Sequence, residues 1–136
     1  MTMKFRVKAE LENVDIVTDF VNEQLEGMDC SMRSIIQIDI ALDELFSNVC
    51  HYAYGDGVGY ATIYVDDHED NGTVSITLED EGIPFDPLEH EDPDVTLSIE
   101  EREVGGLGIF MVKRTMDDVL YEYRDGKNRI TIVKSL

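Results

Sequence analysis

The sequence lacks the patterns that mark several large classes of protein. Its 136 residues include no tryptophan, three prolines and two cysteines. Cys30 and Cys50 belong to no CxxC pattern, and no histidine pair has metal-ligand spacing, which argues against a disulfide scaffold or a zinc site. No run approaches the roughly 18 apolar residues that cross a bilayer, and Met1–Glu10 does not resemble a signal peptide. We therefore expect a cytoplasmic protein with reduced, partly buried thiols.

Basic residues are also scarce. The chain has 11 Lys and Arg against 30 Asp and Glu, which gives a formal net charge of -19. A field of this sign repels phosphate backbones and anionic lipids, so we expect neither nucleic acid nor a membrane as a partner. It favours basic proteins or metal-chelated ligands, although the same charge is also typical of a surface tuned for solubility.

The hydrophobic content of 43% predicts one domain that spans residues 1–136. Alternation over Lys4–Ala9 predicts a strand. Apolar residues at steps of three or four predict two amphipathic helices, one over Asn13–Leu25 and one that begins near residue 31 or 34 and ends at Tyr52. A third helix is predicted over Ile109–Met116.

Two predicted hairpins complete the pattern. Alternating runs over Tyr60–Val65 and Thr73–Leu78 form the first, and Val119–Arg124 and Arg129–Val133 flank a turn at Asp125–Asn128 to form the second. The fold class is therefore α+β. We predict a two-layer α/β sandwich with the helices over a mostly antiparallel mixed sheet.

Three clusters point to chemistry, and the first is on the second predicted helix. Glu44 and Asn48 are four residues apart, so they share a face at the margin of the apolar stripe. A carboxylate can serve as a general base, and an amide oxygen is a ligand that Mg²⁺ accepts. Taken alone, the pair also fits an ordinary surface.

The second cluster is Asp80-Glu81-Gly82, directly after a predicted strand. A carboxylate there can accept a hydrogen bond from an amino group such as that of adenine, and Gly82 would let a flat ring approach the backbone. The alternative is a simple strand-to-loop turn, in which the same residue types are common.

The third cluster is Gly105, Gly106 and Gly108, at the start of the third predicted helix. Glycines there free backbone N–H groups to bind phosphate oxygens, and the helix dipole favours negative charge. The cluster is neither a Walker A loop nor a Rossmann fingerprint, because GxxxxGK[ST] is absent and no βαβ unit surrounds it.

In this order, the three clusters resemble the N, G1 and G2 boxes of the histidine-kinase-like ATPases, the GHKL family with the Bergerat fold. The resemblance covers about residues 34–136. The segments Ala41–Glu44, Asp86-Pro87 and Gly106–Lys113 are similar to those of a subgroup, the anti-sigma-factor serine/threonine kinases of the RsbW type.

The resemblance implies ATP and Mg²⁺ as cofactors and Glu44 as the catalytic base. It implies that Asn48 helps to coordinate Mg²⁺, that Asp80 receives the adenine amino group and that Gly82 shapes the adenine pocket. The main chain at the third cluster would flank the phosphates. The full set of implied ATP-binding residues is Asn48, Asp80, Gly82, Arg102, Gly106, Leu107 and Gly108.

Residues 86–104 would form the lid that closes over ATP. This segment is rich in acidic residues, and Arg102 is its one basic residue. An acidic lid holds a triphosphate poorly unless Mg²⁺ is present and Arg102 turns inward. The resemblance also implies an anti-anti-sigma protein as the phosphorylated partner, a sigma factor that the protein holds inactive, and a homodimer. Because the alternation of the first strand leaves an edge available, that strand could contribute to the dimer.

Two other functions are compatible with the same residues. The protein could be an ATP-responsive switch that sequesters a sigma factor or another regulator without phosphoryl transfer. It could also be an interaction domain that has kept the fold and lost the nucleotide. Nucleotide-dependent partner binding without a phosphorylated product would distinguish the switch from the kinase.

Overall fold

A five-stranded sheet organises the protein. The structure, a computed structural model, describes residues 2–55, 57–89 and 106–136. The sheet has the order β1-β2-β3-β5-β4, and each pair of neighbouring strands is antiparallel in these ranges, so the predicted fold class is confirmed. The strands are β1 (Thr2–Lys8), β2 (Tyr60–His68), β3 (Thr73–Asp80), β4 (Asp118–Arg124) and β5 (Lys127–Ser135).

Three α-helices of the described residues pack on one face of the sheet. They are α1 (Val14–Glu26), α2 (Met32–Tyr52) and α3 (Gly106–Thr115). Short 3-10 turns occur at Leu11–Asn13, Glu69–Asn71 and Pro87–Glu89. Within the part of the chain that is described, no helix combines the length and the apolar character needed to cross a membrane.

The core lies between the helices and the sheet. The helical spacing predicts an apolar stripe on α2 of Ile35, Ile38, Leu42, Leu45 and Val49. The last four are buried together with Phe46, and Ile35 is partly buried. The side chains opposite them come from the inward positions of the strands, because alternate residues of a strand point to the same face. Those fully buried on β2 and β3 include Ala61, Ile63, Val65, Val74, Ile76 and Leu78.

The second hairpin differs from its prediction. Its turn consists of Asp125 and Gly126, whose φ angles of 56° and 78° are both positive, as a two-residue turn between twisted strands requires. The prediction of a four-residue turn ending at Asn128 is therefore wrong. Asn128 belongs to β5, is 5% exposed and points to the same side as Ile130.

The sheet and helices converge at one end of the molecule. Asp80, the last residue of β3, lies between Ala61 of β2 and Asn128 of β5 in the strand register. The loop after β3 returns to the end of α2, where the Ile83 N–H donates to the Ala53 carbonyl at 2.8 Å. Residues from distant parts of the chain therefore meet at this end.

The start of α2 gives a first test of the fold. Ser31 is its N-cap, and its Oγ accepts a hydrogen bond from the Ser34 N–H at 3.1 Å. Because this bond satisfies a helix donor that otherwise has no partner, we expect Ser31→Ala to lower the free energy of unfolding by about 1 kcal/mol in urea denaturation. Ser31→Asn keeps an acceptor and should retain most of that stability. Equal losses in both variants would show that the cap is not the cause.

Candidate functional site

A cleft lies between the C-terminal half of α2 and the adjoining ends of β3, β4 and β5. It has about 370 Å³ of empty space, part of it open to solvent. Apolar side chains form most of its wall, and Asn48, Asp80 and Asn128 contribute polar groups. An apolar cleft with a few convergent polar groups suits an apolar ring that has one polar edge. The apolar lining comprises Leu45, Val49, Ala53, Leu78, Phe85, Pro87 and Ile130, beside Tyr121.

Asp80 is the buried carboxylate of the cleft, with 6% of its surface exposed. Its Oδ1 accepts hydrogen bonds from the Gly82 N–H and from Asn128 Nδ2, both at 2.9 Å. Burial raises the pKa of the Asp80 carboxyl, and these two hydrogen bonds oppose that rise. Since both bonds from the described residues go to Oδ1, Oδ2 is the atom that can accept a hydrogen bond from a ligand.

Asn128 organises this end of the cleft, and the sequence analysis missed it. Its Nδ2 donates to Asp80 Oδ1 and, at 2.8 Å, to the Ile83 carbonyl. Its Oδ1 accepts from the Phe85 N–H at 3.0 Å and from the Tyr121 hydroxyl. The Asp125-Gly126 pair was the available signal, because a two-residue turn there places Asn128 in phase with the inward Ile130.

Gly82 is required by the packing of the loop after β3. A Cβ at this position would overlap the Ala53 carbonyl group at the end of α2. The neighbouring hydrogen bond from Ile83 to the same carbonyl holds the two backbones at this distance. Only glycine can therefore occupy position 82 without displacing the loop that borders the cleft.

Glu44 is a residue of α2, and its carboxyl group lies at the start of α3. A Cβ on Gly108 would overlap the Glu44 carboxyl group, so that carboxyl rests directly against the backbone of the first turn of α3. Burial, and then the charge of Asp43, raise the pKa of Glu44. Asn48, one helical turn farther along α2, lines the cleft. A carboxylate with a raised pKa beside a ligand cleft can serve as a general base.

The first turn of α3 contains the other predicted glycine. Gly106 opens the helix, and the backbone of Leu107 belongs to the same turn. The first N–H groups of a helix have no partner within it and can bind an anion. The structure thus brings seven predicted site residues to one end of the molecule: Glu44, Asn48, Asp80, Gly82, Gly106, Leu107 and Gly108.

Arg102 and Gly105 lie outside the described residues, as does the predicted lid beyond Glu89. The described start of the lid is the 3-10 turn Pro87–Glu89, and Pro87 lines the cleft. Within the described ranges, no three His, Cys, Asp or Glu side chains form a group that could hold a metal ion.

Comparison with known protein families shows a match over most of the chain. A family model described as histidine kinase-like ATPase domain matches residues 7–134. That match includes both carboxylates of the site and the first turn of α3.

Two individual relatives match most of the chain at low sequence identity. The serine-protein kinase RsbW of Bacillus cereus is 25% identical over 128 residues, which cover 91% of this chain and 79% of that protein. The anti-sigma F factor of Clostridium acetobutylicum is 28% identical over 138 residues, covering 98% of this chain and 91% of that one.

A solved structure of the RsbU and RsbW domains of a Mycobacterium tuberculosis protein shares the fold. It superposes with a TM-score of 0.69 at 15% identity and covers 100% of this chain. This chain spans 32% of that longer protein. A likeness at this identity concerns the fold alone.

The overlap at Gly82 gives a test of the loop. We expect Gly82→Ala to destabilise the protein by about 1–3 kcal/mol, because the new methyl group must displace the Ala53 carbonyl or the loop. Gly27→Ala is the matched control, since its Cβ would meet its nearest neighbour, the Gln24 carbonyl oxygen, at 3.7 Å. Thermal unfolding of both variants measures the difference. Equal stability of the two would contradict the close approach.

Proposed function

The chain belongs to the histidine kinase-like ATPase domain family, and from this premise we propose that it is an ATP-dependent serine/threonine protein kinase that regulates a sigma factor. It phosphorylates an anti-anti-sigma protein and alternately holds the sigma factor inactive. The observation that carries the proposal is the position of Glu44, whose carboxyl lies against the first turn of α3. Asn48 stands one turn away in the cleft.

The names of two relatives support this choice of reaction and partner. One is a serine-protein kinase and the other an anti-sigma factor. Both match at least 91% of this chain, and the acceptor of a serine-protein kinase is the hydroxyl of another protein. The proposal that this protein holds a sigma factor inactive is supported by the name of the second relative, an anti-sigma factor.

The cleft suits the adenine ring of ATP. Oδ2 of Asp80 would accept a hydrogen bond from the adenine amino group, and the apolar lining of the cleft would contact the ring. Guanine has a carbonyl oxygen at the corresponding position, which a carboxylate repels. Asp80 therefore favours adenine over guanine.

The phosphates would lie at the start of α3, where backbone N–H groups at Gly106, Leu107 and Gly108 can donate to them. Asn48 would supply one oxygen ligand to Mg²⁺, and ATP oxygens would supply others, as is usual where one or two protein ligands hold this ion. Bound Mg²⁺ would neutralise charge on the phosphates during transfer. The oxygen donor of Asn48 and the open backbone at Gly108 fit these ligands.

Glu44 would act as the general base. Its carboxylate accepts the proton of the partner's serine or threonine hydroxyl as that oxygen forms a bond to the γ-phosphorus. The bond from the γ-phosphorus to the bridging oxygen breaks, and ADP leaves. The raised pKa of Glu44 makes its carboxylate a stronger proton acceptor.

Three further features remain proposals. Residues 86–104 would form a lid with Arg102 directed at the phosphates. The protein would form a homodimer, to which β1 could contribute because it is an edge strand of the described sheet. The site of action would be the cytoplasm, where the proposed partners act.

Asp80 gives a test of nucleotide binding. A ligand at one hundred times its Kd stabilises the folded state by about 2.7 kcal/mol, and we expect Mg·ATP to do so for the wild type in thermal unfolding. Asp80→Asn should abolish the shift, because an amide NH₂ replaces the carboxylate oxygen that faces the ligand. An unchanged ATP shift in Asp80→Asn would show that Asp80 does not contact adenine.

The same variant tests the cost of the buried charge. Because burial raises the pKa of Asp80, the folded state at neutral pH bears the cost of a desolvated carboxylate. The ligand-free Asp80→Asn protein should therefore melt at or above the wild-type temperature. The gain should shrink as the pH falls through that raised pKa, since the wild-type carboxyl then becomes protonated.

Glu44 gives a test of phosphoryl transfer. The probe is an anti-anti-sigma protein encoded in the same genome, incubated with Mg·ATP and analysed by intact mass. We expect Glu44→Gln to lower the transfer rate by about 10²–10⁴-fold, the usual contribution of a general base, and to keep the thermal shift with ATP. Glu26→Gln, which makes the same change at an exposed carboxylate at the end of α1, is the matched control and should transfer normally.

The pH profile follows from the same residue. Only the carboxylate form of Glu44 can accept a proton, so transfer should fall as the pH is lowered through a pKa above the ordinary value of 4.5. Transfer at the wild-type rate by Glu44→Gln would overturn the assignment of the base. ATP-dependent binding of the partner without a phosphorylated product would instead identify a binding switch.

A further inference from the structure

The outer side of α2 carries apolar side chains that no part of the described structure covers. Met32, Ile36 and Ile40 are 71%, 51% and 58% exposed. They are spaced four residues apart, so they adjoin one another on the helix surface. We call these three residues the α2 ridge. These two isoleucines and one methionine form a continuous exposed apolar patch, which indicates a surface that another molecule covers.

The α2 ridge leads directly to the proposed catalytic base. The next residue in the same four-residue series is Glu44, and the one after it is Asn48. From Met32 to Glu44 the helix rises about 18 Å. A standard interface of about 800 Å² per partner is roughly 30 Å across. One partner can therefore cover the ridge and reach Glu44 together.

The helix that contacts Glu44 carries another exposed apolar side chain. Met111 of α3 is 45% exposed and follows Gly108, which contacts the Glu44 carboxyl, by three residues. Positions three apart are neighbours on a helix surface. Met111 therefore lies about one turn from the point where α3 contacts Glu44, and Ile40 lies one turn before Glu44 on α2.

We propose that the α2 ridge is the docking surface for the protein whose hydroxyl is phosphorylated. The inference rests on the proposed kinase function, because a hydroxyl that reacts at Glu44 must belong to a molecule that covers the surface around it. The partner would present an apolar patch beside its acceptor serine or threonine. Packing on the ridge would then place the hydroxyl at the Glu44 carboxylate.

The ridge has no charge of its own in a chain whose formal net charge is -19. Interactions between exposed charges weaken as salt increases, whereas burial of apolar surface does not weaken in this way. We therefore expect docking to persist at 0.5 M NaCl, roughly where exposed charge pairs are screened beyond a few ångströms.

The test uses a double variant, Ile36→Gln with Ile40→Gln. Both side chains are more than half exposed and glutamine is a good helix former, so the fold should persist. With the anti-anti-sigma protein as substrate, we expect KM for that protein to rise by about tenfold or more, with kcat near the wild-type value. The thermal shift with Mg·ATP should not change. Leu120→Gln, which alters a 53% exposed residue of β4, is the control and should leave KM unchanged.

The outcomes separate this proposal from the proposed function. A KM in the double variant equal to that of Leu120→Gln would overturn the docking surface and leave the kinase intact. A change from dimer to monomer in analytical ultracentrifugation with unchanged KM would assign the ridge to contact between two copies. If the wild type binds the same partner without phosphorylating it, the kinase function fails, and weaker binding by the double variant would still support the ridge. If the wild type neither binds nor phosphorylates it, both proposals fail.

Discussion

A buried hydrogen bond between Asn128 and Asp80 supports the arrangement of the site. It joins the end of β3 to the start of β5 at 2.9 Å, and both side chains are almost fully buried. Asn128 also forms hydrogen bonds with the backbone at Ile83 and Phe85, so the same amide fixes the loop after β3. A hydrogen bond to a charged group contributes about 1.5–3 kcal/mol. Without the Asn128 side chain, Asp80 would keep the hydrogen bond from the Gly82 N–H, and the loop would lose its hydrogen bonds to β5 at Ile83 and Phe85.

The two carboxylates of the site share a physical condition. Burial raises the pKa of both Asp80 and Glu44, so each is held in an environment that disfavours its charge. For Asp80, hydrogen bonds from Gly82 and Asn128 compensate part of that cost. Glu44 rests against the start of α3, where the helix dipole favours negative charge. In the proposed function, this loss of stability would keep one acceptor available for a ligand and the other for a proton.

The charge of the chain also shapes the way it would recognise phosphate. The basic residues of α3, Lys113 and Arg114, lie in its last turn, whereas the proposed phosphate site is at its first. Recognition at that end would then depend on backbone N–H groups and on Mg²⁺ more than on lysine or arginine. Gly108 leaves this backbone open, and its lack of a side chain also leaves room for the Glu44 carboxyl.

Local sequence patterns determined the helices, the two hairpins and the grouping of candidate residues, because periodicity and turn chemistry act over a few residues. The stripe of α2 and the inward positions of β2 and β3 are where alternation and helical spacing predicted them. Only the tertiary structure decided which distant groups meet. Asn128 reaches Asp80 across 48 positions of sequence, Gly82 packs on Ala53, and the side chains of Met32, Ile36 and Ile40 remain uncovered. These contacts depend on how the strands pair and where the helices lie on the sheet, which no local pattern encodes.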